Sequence, residues 1–472
     1  MVESGMVYQI TVDGTTLALE GVRAYFQSQR AGLDAHLVAR LATFLDDAHD
    51  SIDCAIYDLR HPRILDALAR AVERGVRVRI AYDAGKEHVG GMSADPKPSG
   101  TEVALANAGL LPHATAVHER GRHLMHDKFV LRDERDVWVG SANFTVGGLE
   151  LQDNTCLTIS SRDLVTHFAT TFAGLLQPQH RHTRSATALA TAESLGVMVG
   201  STSVAPFFAP AAGESIEQEL ISAIRGAHKI RLLAFLLSDP GVLQALAPLA
   251  QQPQFDIRGV YDPHGMEDVL RYTTQDRALF WFMRDPRFVA APSHAFSAQR
   301  EQDFMHNKTF VFDDRLVFTG SYNFSENAEA NDEVVLKVAS EPLAAAYTHY
   351  TDVLFTTYGG MIEVPQTRRR LSGGPRLSGG PRVSAGPRVG VNTAPRMPAI
   401  TAPPARKPTA PPVVAPAAAV ESAMTPAKTI ASKPLKKSRR NLDVLIFVIR
   451  LKIVAVILAI IAYLLLSGIL HF

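Results

Sequence analysis

The sequence predicts an α/β protein built from two pseudo-symmetric α/β/α halves packed into one bilobal body. Three observations carry this expectation. Amphipathic helical stretches alternate with short apolar runs of strand length. That alternation occurs twice, at an offset of 179–180 residues. Each occurrence ends in the same pattern of polar residues. Helices and strands alternating at this spacing imply βαβ units and a mostly parallel sheet. An offset that holds over many elements marks duplication of a whole domain rather than a chance motif.

The elements follow in order. Residues 7–19 alternate around Asp13 and Gly14, the signature of a small hairpin, which gives an N-terminal unit at 1–20. The first half, 21–177, opens with Leu33, Leu37, Leu41, Phe44 and Leu45 on one helical face. A strand is expected at 51–57. A helix marked by Ile64, Leu65, Leu68 and Val72 follows and stops at Gly75, then a strand at 76–83. After a crossover at 178–205, the second half, 206–360, repeats the order: helix 215–227, strand 230–237, helix 242–250, strand 255–261. Ala48 and His49 match Ala227 and His228, and Tyr82 and Asp83 match Tyr261 and Asp262. Cys54 and Cys156 lie in apolar runs and are expected as free, buried thiols.

The chain changes character at residue 366. Between 366 and 440, fifteen Lys/Arg accompany one acid, Glu421, in a Pro/Ala/Arg-rich segment. Such a composition buries too little apolar surface to offset the entropy of ordering, so a disordered linker is expected. The formal net charge of +1 therefore hides an acidic body at residues 1–365 and a basic tail. Residues 442–470 read as a membrane anchor: 453–470 carry no charge and would span about 27 Å as a helix. Lys436, Lys437, Arg439 and Arg440 precede it. The expectation is a single-pass, tail-anchored protein with its catalytic body in the cytoplasm.

The chemistry lies in the repeated polar pattern. His126, Lys128 and Asp133 are followed by Gly140, Ser141 and Asn143; His306, Lys308 and Asp313 are followed by Gly320, Ser321 and Asn323. Residues two apart on a strand share a face, so each copy places an imidazole and an ammonium on one wall. Ser and Asn side chains add donors for phosphate oxygens. Two copies facing across a pseudo-twofold axis suit a phosphodiester: one imidazole attacks phosphorus, the other protonates the leaving oxygen, and the lysines and amides stabilise the charge. Metal is not required in this scheme, and no cofactor is expected.

Both copies match the H-x-K-x4-D plus G-S-x-N signature of the phospholipase D superfamily, and the resemblance covers roughly residues 20–355. It resembles the members that carry both motifs in one chain, which implies a catalytic body active as a monomer. The resemblance implies His126 as nucleophile, through a phosphohistidine, and His306 as general acid and then base. It implies phosphoryl binding by Lys128, Lys308, Asn143 and Asn323, with Ser141 and Ser321 beside them. Asp133 and Asp313, an odd number of positions from their histidines, are expected to pair structurally. Glu333, in Asn331-Asp332-Glu333, is expected to orient a histidine. In the first half the corresponding stretch is read at Asn154-Thr155-Cys156, without a carboxylate, and Asp153 is the substitute to consider.

Four readings compete. A membrane-anchored hydrolase of glycerophospholipids comes first, because a basic juxtamembrane stretch suits an anionic leaflet. A membrane-tethered endonuclease or nucleic-acid phosphodiesterase comes second; the acidic body weighs against extended nucleic-acid binding. A phosphatidyl transferase of the cardiolipin synthase kind comes third. A non-enzymatic tether with a relict site is last, because both copies of the motif are intact.

Overall fold

The computed structural model describes residues 9–10, 14–86, 100–119, 123–177, 196–297 and 300–361. The first half comprises β1 (Gln9–Ile10), β2 (Thr16–Leu19), β3 (Val22–Gln27), α1 (Leu37–Asp46), β4 (Ser51–Ile56), α2 (Pro62–Glu73), β5 (Arg77–Lys86), α3 (Thr101–Asn107), β6 (Ala114–Glu119), β7 (Lys128–Arg132), β8 (Asp136–Gly140), β9 (Asn154–Ser160) and α4 (Arg162–Leu175). Local chemistry sets several of these limits. α2 starts with a proline in its first turn, where no N–H is needed. It stops before Gly75, whose φ of 83° is the left-handed conformation that closes a helix.

The second half repeats this plan with β10 (Val197–Val199), β11 (Thr202–Ala209), α5 (Gly213–Gly226), β12 (Lys229–Ala234), α6 (Pro240–Ala250), β13 (Asp256–Tyr261), α7 (Pro263–Tyr272), β14 (Phe288–Ala290), β15 (Lys308–Phe312), β16 (Leu316–Gly320), β17 (Glu333–Ala339) and α8 (Glu341–Thr357). The two sheets have the orders β1-β2-β3-β9-β8-β7-β4-β5-β6 and β10-β11-β17-β16-β15-β12-β13-β14. The duplication is thus a duplication of topology.

The sheets are mixed, which corrects the expectation of mostly parallel pairing. Among the named strands of the described residues, only β4–β5–β6 and β12–β13–β14 run parallel. The strand carrying each Lys pairs antiparallel with its neighbour on both sides. The cause is a tight turn after each motif strand. Asp133 and Glu134 have φ of 52° and 51°, and Asp313 and Asp314 have 50° and 53°. Two successive left-handed residues reverse the chain with a twist that suits antiparallel strands. The hairpin at the N-terminus is present, yet it forms the edge of the nine-stranded sheet rather than a separate unit. Within the expected crossover at 178–205, residues 197–199 and 202–205 already belong to strands of the second sheet. The linker at 366–440 and the anchor at 442–470 lie outside the described residues; among the described residues no helix is long and apolar enough to cross a membrane.

Among the described residues, three apolar clusters organise the packing. One lies under α1 and α2, and one under α5 and α6. The third joins the inner faces of both sheets through α4 and α8, with Phe129, Phe168, Phe172, Phe208, Leu336 and Tyr347 among its members. Phe168 meets Phe208 edge-on at 5.0 Å, and Phe26 meets Tyr347 at 5.0 Å, each contact crossing between halves. Burying such a side chain contributes roughly 1.5–3 kcal/mol, so the halves are held together by core packing. Cys54 and Cys156 are free and buried in β4 and β9.

Candidate active site

The two motif strands start at the same end of the body, and each half grips the other there. The His126 N–H donates to the Asp332 carbonyl at 2.9 Å, and the His306 N–H donates to the Asp153 carbonyl at 3.0 Å. Short parallel bridges, Met125 with Asp332 and Asp153 with Met305, complete the exchange. The result brings His126, Lys128, His306 and Lys308 to one place. All four are buried, the lysines completely.

Each lysine folds back on its own motif. Lys128 Nζ donates to the His126 carbonyl at 2.7 Å, and Lys308 Nζ to the His306 carbonyl at 2.6 Å. Each ammonium also lies over an aromatic ring, Tyr57 at 5.2 Å and Phe235 at 5.1 Å. The same rings flank the imidazoles, at 4.9 Å for Tyr57 with His126 and 5.0 Å for Phe235 with His306. These two aromatics were not singled out from sequence. Their signal was available, because each directly follows the strand, β4 or β12, that pairs with the Lys-bearing strand of its half.

The imidazoles differ in what holds them. His126 Nδ1 lies 2.8 and 2.9 Å from the two oxygens of Glu333, a residue of the other half. Glu333 is completely buried and accepts from Asn331 Nδ2 at 3.2 Å. His306 Nδ1 lies 3.1 Å from the Ser141 carbonyl and 3.3 Å from Asn154 Oδ1. A carbonyl only accepts, so His306 carries its proton on Nδ1 and leaves Nε2 open when neutral.

This geometry corrects the alignment of the two halves. Ser141 N–H donates to the Thr155 carbonyl and Ser321 N–H to the Val334 carbonyl. Asn154 therefore stands where Glu333 stands, two residues away from the sequence reading, which set it against Asn331. Asp153 does not reach the ring of His306: its carboxylate accepts from Tyr358 Oη at 2.6 Å and pairs with Arg30 at 3.4 Å.

The small polar residues divide. The Ser141 hydroxyl donates to Asn154 Oδ1 at 2.7 Å and accepts from Thr155 N–H at 3.1 Å. The Ser321 hydroxyl accepts from Val334 N–H at 3.0 Å and bonds Glu333. Both hydroxyls thus brace the groups behind the imidazoles, which differs from the expected direct contact with phosphate. Asn143 and Asn323 differ from them: their buried Oδ1 atoms have no protein partner. Asp133 and Asp313 lie at the far end of their strands. Asp133 accepts from the N–H groups of His49, Asp50 and Ser51 at 2.8–3.2 Å, and Asp313 from His228 and Lys229 at 2.8–2.9 Å. Both tie the turn to the start of the neighbouring strand.

Burial dominates the electrostatics. It pushes both histidines well below their ordinary range, and the two lysines push further in the same direction. Lys128 is lowered by burial to about 8, against the pull of Glu333 and Asp127. Glu333 is raised by burial, opposed by Lys128 and by its hydrogen bonds. Because both Glu333 oxygens meet His126 Nδ1, the pair holds one proton between them. Asp127, buried with both oxygens unbonded, is pushed far up by burial and by Asp332 and Glu333. Two buried lysines beside one shared proton leave a place suited to an anion.

A bilobal α/β body with paired imidazoles and ammonium groups at the junction defines a class of phosphodiester-processing enzymes. The family model described as "Cardiolipin synthase, PLD-like domain" matches the chain twice, at residues 41–176 and 220–354. The chain belongs to this family, and its superfamily is one of phosphodiesterase-type enzymes. The mitochondrial cardiolipin hydrolase of Chlamydomonas reinhardtii is 26% identical over 141 residues, 29% of this chain and 58% of that protein. The match therefore spans a little over half the length of that relative. The phosphatidylserine synthase of Haemophilus influenzae has the same fold, with a TM-score of 0.51 at 14% identity over 75% of this chain and 88% of that one. The phospholipase D family member Nuc of Salmonella typhimurium aligns over 33% of this chain and 92% of its own at 23% identity, with a TM-score of 0.27.

Proposed function

We propose that the chain hydrolyses glycerophospholipid phosphodiesters at a membrane surface, with His126 as nucleophile and His306 as acid and base. The observation that carries the assignment is the contact of Glu333 with His126 Nδ1, at 2.8 and 2.9 Å. That contact aims Nε2 at the substrate and neutralises the imidazolium that forms as phosphorus is attacked. The N–P bond forms as the P–O bond to the headgroup alcohol breaks, and His306 Nε2 gives its proton to that oxygen. Water then loses a proton to His306 and attacks phosphorus, which frees His126 and releases the phosphatidyl product. His306 must hold a second proton for the first step. Burial and the lysines oppose that in the free enzyme, and an anionic substrate between the lysines offsets their effect.

Lys128, Lys308, Asn143 and Asn323 are assigned to the phosphoryl oxygens. The H-x-K pairs, matched twice, support the superfamily's chemistry, and the named activity of the Chlamydomonas relative supports a lipid substrate. The apolar stretch 442–470 would hold the body to the bilayer.

The test incubates the full chain with cardiolipin, phosphatidylcholine and single-stranded DNA in EDTA. Lipid turnover is expected from the wild type and from neither His126→Ala nor His306→Ala, with phosphatidyl label trapped on the wild-type protein by rapid quenching and absent in His126→Ala. DNA cleavage without lipid turnover would reverse the substrate assignment, and label retained in His126→Ala would reverse the roles of the histidines.

A further inference from the structure

The second half carries a polar cluster that the first half lacks. Glu217 in α5, Asp239 at the cap of α6 and Glu329 in the short turn Ala328–Ala330 each present a carboxylate oxygen, and these oxygens lie within 4.8 Å of one another. The fold forces the approach. The Asp239 N–H donates to the Phe324 carbonyl at 3.0 Å, and its carboxylate accepts from Val242 N–H at 2.9 Å. Gly213 lies against the Glu329 backbone and Gly241 against the Glu217 carboxylate, each too closely for a Cβ. Burial raises all three carboxyls; Asp239 raises Glu217 further, and Asp239 and Glu217 raise Glu329 further, while Asp239 itself is raised by Glu326 against hydrogen bonds from Val242, Gly241 and Glu217.

A second observation points to a ligand. Tyr322 is 2% exposed, and its Oη has no hydrogen-bond partner. Its charged neighbours are Glu329, Asp239, Glu333 and Glu217. A buried phenol oxygen left unbonded beside three carboxylates is an oxygen donor that the protein itself does not use.

The first half serves as an internal control. Its matching positions are Val38 for Glu217, His61 for Asp239, Ala142 for Tyr322 and Glu150 for Glu329. The backbone frame is the same, since His61 N–H donates to the Phe144 carbonyl at 2.9 Å. There, His61 Nε2 meets Glu150 Oε1 at 2.9 Å, a base facing an acid. In the second half an acid replaces the base, and a third carboxylate and a phenol are added.

We propose that Glu217, Asp239, Glu329 and Tyr322 bind a hard divalent cation, with Ca²⁺ the best match. All donors are oxygens, the set such cations prefer. Oxygens bound to one Ca²⁺ at about 2.4 Å lie no more than about 4.8 Å apart, a limit that the three carboxylates meet. The ion would tie α5 and α6 to the segment between β16 and β17, which also carries Asn323. This assignment is independent of the substrate.

The experiment uses the full chain, stripped with EDTA and desalted. CaCl₂ is titrated by calorimetry and thermal melting, and TbCl₃ by tyrosine-sensitised luminescence. A saturable rise in Tm is expected, with Tb³⁺ emission displaced by CaCl₂. Asp239→Asn keeps the helix cap while removing the charge, and Glu329→Gln alters a partly exposed residue, so both should fold. Each should weaken Ca²⁺ binding at least tenfold, and Tyr322→Phe should lose most of the sensitised emission. No response in the wild type, or equal binding by the variants, overturns the proposal. A higher Tm in Asp239→Asn without any Ca²⁺ response would show that the cluster is only a repulsive or proton-sharing group.

Discussion

Glu333 joins two roles that the sequence kept apart. It is a core residue of β17 and the partner of a histidine 207 positions away. Glu333→Gln keeps an acceptor for Nδ1 but removes the charge that balances the imidazolium. The expected result is a fall in kcat of about 10²-fold or more, with KM changed little, measured on the lipid substrate. Equal activity would sink the assignment of His126 as nucleophile. Lys128 gives a second expectation. Burial lowers its pKa to about 8, so the ammonium is charged below that pH and neutral above it. The kcat/KM profile should fall on its alkaline side near pH 8, rather than near the 10 or above of an exposed lysine. The histidines and lysines were legible in the sequence because strand periodicity puts i and i+2 on one face. The link from Glu333 to His126 was not, because it depends on two chain segments exchanging backbone hydrogen bonds across the body. For the same reason Asn154 was set against Asn331, when the bonding of Ser141 and Ser321 sets it against Glu333.

At the scale of elements, the acid that closes each motif ties a turn to the start of the neighbouring strand. The Asp133 carboxylate is lowered even though burial opposes this, because three backbone N–H groups and Arg132 outweigh it. Asp133→Ala leaves those donors without their acceptor. A loss of about 1–3 kcal/mol of stability is expected, read from urea denaturation, with kcat kept at permissive temperature. A large loss of kcat in a fully folded variant would give Asp133 a catalytic part. The helices and the parallel strands were readable from hydrophobic periodicity and from signals such as Gly75. The antiparallel pairing of β7 with β8 and of β15 with β16 was not, since it follows from left-handed turns at Asp133 and Asp313 that ordinary turn residues such as Gly or Asn do not announce.

For the whole molecule, the central apolar cluster and the exchanged backbone bonds make the halves one folding unit. Tyr350 Oη donates to the Gln27 carbonyl at 2.6 Å, and Leu124 N–H donates to Asn331 Oδ1 at 3.0 Å, both across the junction. Thermal unfolding of the body should therefore be a single transition whose calorimetric and van't Hoff enthalpies agree. Residues 14–177 alone would expose Phe168 and Phe172 and should fail to give dispersed amide spectra. Two separable transitions, or a well-folded fragment, would show that the halves are independent domains.

The exchange at the junction has a further consequence. Two identical chains related by a twofold axis would present the same group behind both imidazoles. Here one ring is backed by a carboxylate and the other by a carbonyl and an amide. Covalent linkage of the copies is what permits that inequality, since each position is encoded separately. Under the proposed roles, the linked chain can hold one nitrogen aimed for attack before any substrate arrives, while the other takes up its second proton as the anionic substrate binds; a symmetric pair would have to wait for the substrate to impose both parts of that division.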